Sequence, residues 1–404
     1  MDRNLKVCID RKTWPAPGVP PFFPRSFHSG PSDYDLNIPA MLLMIGYLTT
    51  PTSSTGLSLS EFWAWVRYLA AISAERNLSL TQSFAELDAH QKTILSDDFG
   101  MGVPILWLCD KLSLVQIVDG RYFMEKIASS VGATQRRTAK RGPNKTPDFV
   151  ARDTKGKWHV IECKGTQSGS EFSKKQLGTK GPPLTGGVAQ KCSIRFPPGH
   201  TGQRIVCGLS IGIEGGAGSV LNIIDPEPED PFEVYTDQLI YAEDAANRGV
   251  MSRALRMAGF EVTAEAVAAP LGRRPDAMRA SSSRGENARK KMVEDRNQRS
   301  RSELSSDGGR RIVFDQNFRG RETVIELPRS ILVGNAQVRK VVIRQGVNHD
   351  ALKELEEMPT IEDIADSNNV QWTHLLGRSA VEASKLSAMM RIGDLFQSEI
   401  ALML

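Results

Sequence analysis

The stretch from Lys145 to Gln167 constrains this chain more than any other. Pro147-Asp148 opens a short apolar run, Phe149-Val150-Ala151, followed by a polar turn, Asp153-Thr154-Lys155-Gly156-Lys157. A β-rich run from Trp158 to Cys163 then returns. Two apolar runs joined by a glycine-bearing polar turn predict a β-hairpin. Side chains alternate along a strand, so Glu162 and Lys164 leave the same face. Asp148 begins the partner strand beside them. The pattern predicts two carboxylates and an ammonium converging at one end of a sheet.

Such a trio suits phosphodiester hydrolysis. Hard carboxylate oxygens hold Mg²⁺ or Mn²⁺, which usually keeps several waters. The ion lowers the pKa of a water and offsets the charge that builds on phosphorus-bound oxygens. Lys164 is suited to orienting the attacking water or neutralising a phosphate oxygen. Pro147-Asp148 followed by Glu162-Cys163-Lys164 resembles the PD-(D/E)xK phosphodiesterase superfamily, which includes restriction endonucleases and Holliday-junction resolvases. The resemblance covers roughly residues 120–226. It implies an α/β fold, a restriction-endonuclease-like mixed sheet flanked by helices. It also implies Mg²⁺ or Mn²⁺ at Asp148 and Glu162, with Lys164 as a catalytic residue and DNA as the substrate. In that superfamily a glutamate on the preceding helix often completes the site. Glu125 matches by type and order, and is expected as a further catalytic and metal-binding residue.

Between Glu125 and Asp148 lie Arg136, Arg137, Lys140, Arg141 and Lys145, with no acidic residue among them. A charge run is usually a solvated loop, but this one abuts the trio and is expected to contact phosphates. Such contacts position a duplex without reading its sequence. Lys174 and Lys175 are expected to extend the same electropositive rim. Gln190 and Lys191, on a helix near Gly187 to Cys192, are further candidates facing the site.

The rest of the chain is read by pattern. Its 404 residues give room for two or three domains. With 40% hydrophobic and 24% charged residues the composition is that of a soluble globular protein. A net charge of +4 leaves any polyanion preference to local patches. Five scattered cysteines without a CxxC pair suggest a reducing, cytoplasmic setting and argue against a structural zinc. The longest apolar run, Ile38 to Leu48, is too short to span a bilayer, and no signal-peptide core is visible.

Residues 1 to about 56, rich in proline and glycine, argue against long regular elements. Helices are expected from Ser58, at about Thr81–Leu95, and at Val103–Leu112, the last capped by Asp97-Asp98. Residues 1–115 are therefore read as a mostly helical N-terminal domain and 116–268 as the nuclease domain. Within the latter, Arg204–Ile211 and Ser219–Ile224 should extend the sheet, Val234–Ala258 should be a helix, and Glu261–Ala268 could be a strand. Gly212–Gly218 lacks the lysine of a phosphate-binding loop. From Leu271 to Arg311 there are twelve Lys or Arg against six Asp or Glu. Residues 269–308 are read as a basic linker or arm. Residues 309–404 are read as a small α+β C-terminal domain, with strands near Arg310–Phe314, Thr323–Leu327 and Lys340–Ile343 and helices at Ala351–Glu357 and Gly377–Leu404.

The sequence thus favours a metal-dependent endonuclease acting on DNA, alone or with partner subunits or as a homo-oligomer, and not associated with a membrane. Its large flanking segments suit a bacterial restriction, defence or mobile-element system. Two rivals share the same residues: a catalytically inactive nuclease-fold module that binds nucleic acid or assembles a complex, and an RNase.

Overall fold

The computed structural model describes residues 1–52, 60–130, 146–178, 187, 194–225, 232–268, 283–333 and 336–404. Seven strands form the central sheet: β1 (Asp2–Ile9), β2 (Gly30–Asn37), β3 (Leu114–Asp119), β4 (Phe149–Asp153), β5 (Trp158–Thr166), β6 (Thr201–Ser210) and β7 (Val220–Ile224). Their order is β2-β1-β7-β6-β5-β4-β3. The sheet is mixed: β1 runs parallel to β7 and β5 parallel to β6, while the other neighbours are antiparallel. The expected hairpin is β4–β5. Gly156 takes φ +73 at its turn, where Asp153 Oδ1 accepts from the amides of Lys155 and Lys157, each at 2.8 Å.

Helices cover both faces. On one, α1 (Ile38–Thr49), α2 (Ser60–Ala71) and α3 (Ala89–Leu112) pack together. On the other lie α4 (Gly120–Ser130), α5 (Ser170–Leu177) and α6 (Leu239–Met257). Phe123 of α4 meets Trp158 at 5.5 Å between ring centroids, and Gly249 of α6 closes on Val118. The short α7 (Glu261–Ala268) and the long α8 (Ser283–Ser305) follow. A second, wholly antiparallel sheet forms the C-terminal part, with α9 (His349–Glu357) packed against it. Its strands are β8 (Arg311–Ile312), β9 (Phe318–Val333), β10 (Ala336–Asn348), β11 (Ser379–Ala383), β12 (Ser387–Ile392) and β13 (Phe396–Met403), in the order β8-β9-β10-β13-β12-β11. Buried residues of both sheets join in one apolar core. No helix among the described residues is long and apolar enough to cross a membrane.

Several expectations are corrected. Residues 1–37 supply two eight-residue strands of the central sheet, which spans both sides of the boundary expected near residue 115. The prolines gather in the connection between those strands, whereas β1 itself alternates buried Leu5, Val7 and Ile9 with polar neighbours. Asp97 to Gly102 do not interrupt a helix. Helix α3 runs through them, because Gly100 and Gly102 let it lie against the β5 backbone and Ile45. Asp88 caps it, accepting from the amides of His90 and Gln91 at 3.0 and 3.1 Å. Glu261–Ala268 is helical, its first amides held by Glu303 of α8. Residues 379–403 form three strands, turned at Gly393 with φ +52, where a terminal helix was expected. Residues 283–305 of the expected linker are one exposed helix, anchored by Val293, Ser300 and Leu304.

Candidate active site

The hairpin brings Asp148, Glu162 and Lys164 together. Phe149 pairs with Ile161, so Asp148 and Glu162 meet one step further along the ladder. There, side chains take over from the backbone. The Asp148 amide donates to Glu162 Oε2 at 3.2 Å, and the Cys163 amide donates to Asp148 Oδ2 at 2.8 Å. Lys164 Nζ forms an ion pair with Glu162 Oε1. Pro147-Asp148 is pressed against the start of α4. The Gly120 amide donates to Asp148 O at 2.9 Å, and a Cβ at Gly120 would stand 2.1 Å from Pro147 O. Gly120 is thus the residue that lets the first carboxylate sit where it does.

Two further acids frame the trio. Asp97 of α3 interacts electrostatically with both Lys164 and Asp148, while its neighbour Asp98 turns to the Tyr68 hydroxyl. Asp119, at the end of β3, is neutralised by the fully buried Arg253. That guanidinium also donates to Thr50 O at 3.0 Å and Ile117 O at 3.1 Å, fixing the strand end beside Asp148.

Setting the Asp119–Arg253 pair aside, three carboxylates face one ammonium. Burial raises the pKa of Asp97, Asp148 and Glu162 alike, with Lys164 opposing. Glu162 has no exposed surface and is pushed up to about 8, by burial first and the Asp148 charge second. Burial alone would lower the Lys164 ammonium, but the charges of Glu162 and Asp148 outweigh it and hold it up. Solvent reaches the trio at Asp148 and Lys164, whose side chain is 25% exposed, and not at Glu162. The adjacent Cys163 is no nucleophile, since burial and then Cys207 push its thiol well above the usual range.

Could these residues hold a divalent cation? Among the described residues no group of three or more His, Cys, Asp or Glu forms a metal cage. Mg²⁺ does not need one, being held by one or two carboxylates with waters and substrate completing the shell. The donors here are hard oxygens with a deficit of positive charge. Glu162 Oε1 is buried and accepts no hydrogen bond beyond its ion pair with Lys164. The donor chemistry fits such an ion.

Glu125 is not brought to the trio. It lies on the outer side of α4, 53% exposed and paired with Arg121 at 2.9 Å, because Tyr122, Phe123, Met124 and Ile127 turn that helix's other side inward. Asp97 is the acid that does approach. The sequence signal was the aspartate pair before Gly100, read as a helix cap. Lys174 and Lys175 are exposed on α5, with Lys174 paired to Glu171 at 2.8 Å. Arg136, Arg137, Lys140, Arg141, Lys145, Gln190 and Lys191 lie outside the described residues.

No protein-family model, curated protein or solved structure matches this chain.

Proposed function

We propose that the chain is a metal-dependent endonuclease that hydrolyses DNA phosphodiester bonds at the Asp148–Glu162–Lys164 centre. The observation that carries this reading is the convergence of a fully buried Glu162 and a half-buried Asp148 on a single lysine that solvent reaches, on a hairpin within a mixed sheet. That arrangement agrees with the resemblance to the PD-(D/E)xK superfamily and with a restriction-endonuclease-like core. Asp148 and Glu162 would hold Mg²⁺ or Mn²⁺. When bound, the ion supplies Lewis-acid stabilisation of phosphate charge and makes water more acidic. Lys164, kept protonated by the two carboxylates, faces solvent beside them and is placed to hold a phosphate oxygen or the attacking water. We assign the accessory acid to Asp97 in place of Glu125. The free cysteines Cys8, Cys109, Cys163 and Cys207 suit a reducing, cytoplasmic setting.

The test is incubation with supercoiled plasmid and with single-stranded RNA, in Mg²⁺, Mn²⁺ or EDTA, using the unsubstituted protein and Asp148→Ala. Metal-dependent plasmid nicking abolished by the substitution is expected. RNA cleavage without plasmid nicking would identify an RNase. No cleavage of either, with DNA binding intact, would identify an inactive binding module.

A further inference from the structure

Asp97 reaches the trio from a helix on the far side of β5. Gly165 follows Lys164, so the two positions point to opposite faces of the strand. A Cβ at Gly165 would run into Ser96 O, and one at Gly100 would stand 2.5 Å from the Gly165 nitrogen. Helix α3 therefore covers the face opposite to the side chains of Glu162 and Lys164. The Asp97 carboxylate is exposed, and it interacts with Lys164 and Asp148 through charge rather than through hydrogen bonds. Its place is set by the helical turn that carries it.

Gln167, the first residue after β5, holds that turn. Its Nε2 donates to Ser96 Oγ at 3.1 Å and to Lys92 O at 3.2 Å. Ser96 Oγ uses its own proton on Lys92 O, at 2.7 Å, and so accepts from the glutamine. These two acceptors assign the orientation of the Gln167 amide. The bonds join the end of β5 to the turn immediately before Asp97.

The glutamine does not serve the fold well. Its Oε1 is buried and accepts no hydrogen bond from the described residues. An orphaned buried acceptor is destabilising. Methionine, of similar length, would remove that acceptor and leave Ser96 bonded to Lys92 O. A polar group kept where an apolar one would suit stability better has its reason elsewhere.

We infer that Gln167 is a positioning residue for the metal centre: it pins the Lys92–Asp97 turn of α3 to the end of β5 and so keeps the Asp97 carboxylate beside Asp148 and Lys164. The inference rests on the metal-dependent reading given above, with Asp97 as its accessory acid. Residues that orient a metal centre from behind commonly govern its affinity.

The test is calorimetric titration of the full-length protein with Mn²⁺, beside thermal unfolding in EDTA and plasmid nicking across Mg²⁺ concentrations. Gln167→Met should weaken Mn²⁺ binding about tenfold and raise the Mg²⁺ needed for half-maximal nicking to match. The nicking rate at saturating Mg²⁺ should change less than about twofold, and the melting temperature in EDTA should not fall. Asp97→Asn should weaken Mn²⁺ about tenfold or more. Adding Gln167→Met to Asp97→Asn should then change binding less than about twofold, since the glutamine acts through the aspartate. Mn²⁺ binding that Asp148→Ala abolishes and Gln167→Met leaves intact would overturn the inference alone. So would a full additional loss in the Asp97→Asn background, or a lowered melting temperature for Gln167→Met. No Mn²⁺ binding by the unsubstituted protein up to about 10 mM would overturn it together with the metal-dependent reading.

Discussion

Replacing Glu162 with Gln should remove activity and yet stabilise the protein at alkaline pH when no divalent ion is present. Glu162 is fully buried, with a pKa of about 8 against an ordinary 4.5. Between those values the folded chain keeps a proton that the unfolded chain has released. Stability in EDTA therefore falls as pH rises from about 4.5 and levels off above about 8. The difference of about 3.5 units, 8 less 4.5, corresponds to an upper bound of about 5 kcal/mol at 1.36 kcal/mol per unit. Glutamine keeps an oxygen for the Asp148 amide and carries no charge to bury, but it gives up the ion pair with Lys164. Near pH 5 the two proteins should agree to about 1 kcal/mol, and by pH 9 the variant should be more stable by roughly 2–4 kcal/mol. Urea unfolding across this pH range in EDTA measures both. Millimolar Mg²⁺ should then restore stability to the unsubstituted protein and not to the variant. Equal pH slopes for the two proteins, or a variant less stable at every pH, would show that Glu162 carries no burial penalty and refute the reasoning.

Other substitutions separate the parts of the account. Asp97→Asn should slow metal-dependent nicking at least about tenfold while Glu125→Ala changes it less than about twofold, as read from initial plasmid-nicking rates. Gly165→Ala places a Cβ 1.7 Å from Ser96 O, so urea unfolding should show a loss of about 2–4 kcal/mol and activity should fall as α3 moves off β5. Arg253→Met removes the ion pair to Asp119 and the hydrogen bonds donated to Thr50 O, Ile117 O and the Thr52 hydroxyl. A loss of about 3–5 kcal/mol is expected in the same assay.

The trio was legible because it depends on short-range rules. A turn glycine, a strand period of two and three polar side chains sufficed to place Asp148, Glu162 and Lys164 at one sheet end, as the hydrogen bonds across β4 and β5 now show. What long-range packing decides was not legible. Glu125 and Asp97 are both acids on helices before the hairpin. Only the packing of α3 on Gly165 through Gly100, against the outward turn of Glu125 on α4, distinguishes them. Gly100 and Gly102, in the gap expected between two helices, are contact points of one continuous helix. Likewise β1 pairs with β7, more than 200 positions away in the chain, and nothing local to Leu5, Val7 and Ile9 announces that partner. The last three strands carry apolar residues spaced compatibly with either period, and the turn at Gly393 settles the choice.

The rate at which Lys164→Ala relaxes supercoiled plasmid in Mg²⁺, relative to the unsubstituted protein, bears most directly on the central claim. The ammonium at this position touches Glu162 and faces solvent, so its removal should cost about a hundredfold or more while DNA binding persists. A variant that relaxes plasmid at the full rate would place the chemistry elsewhere in the chain.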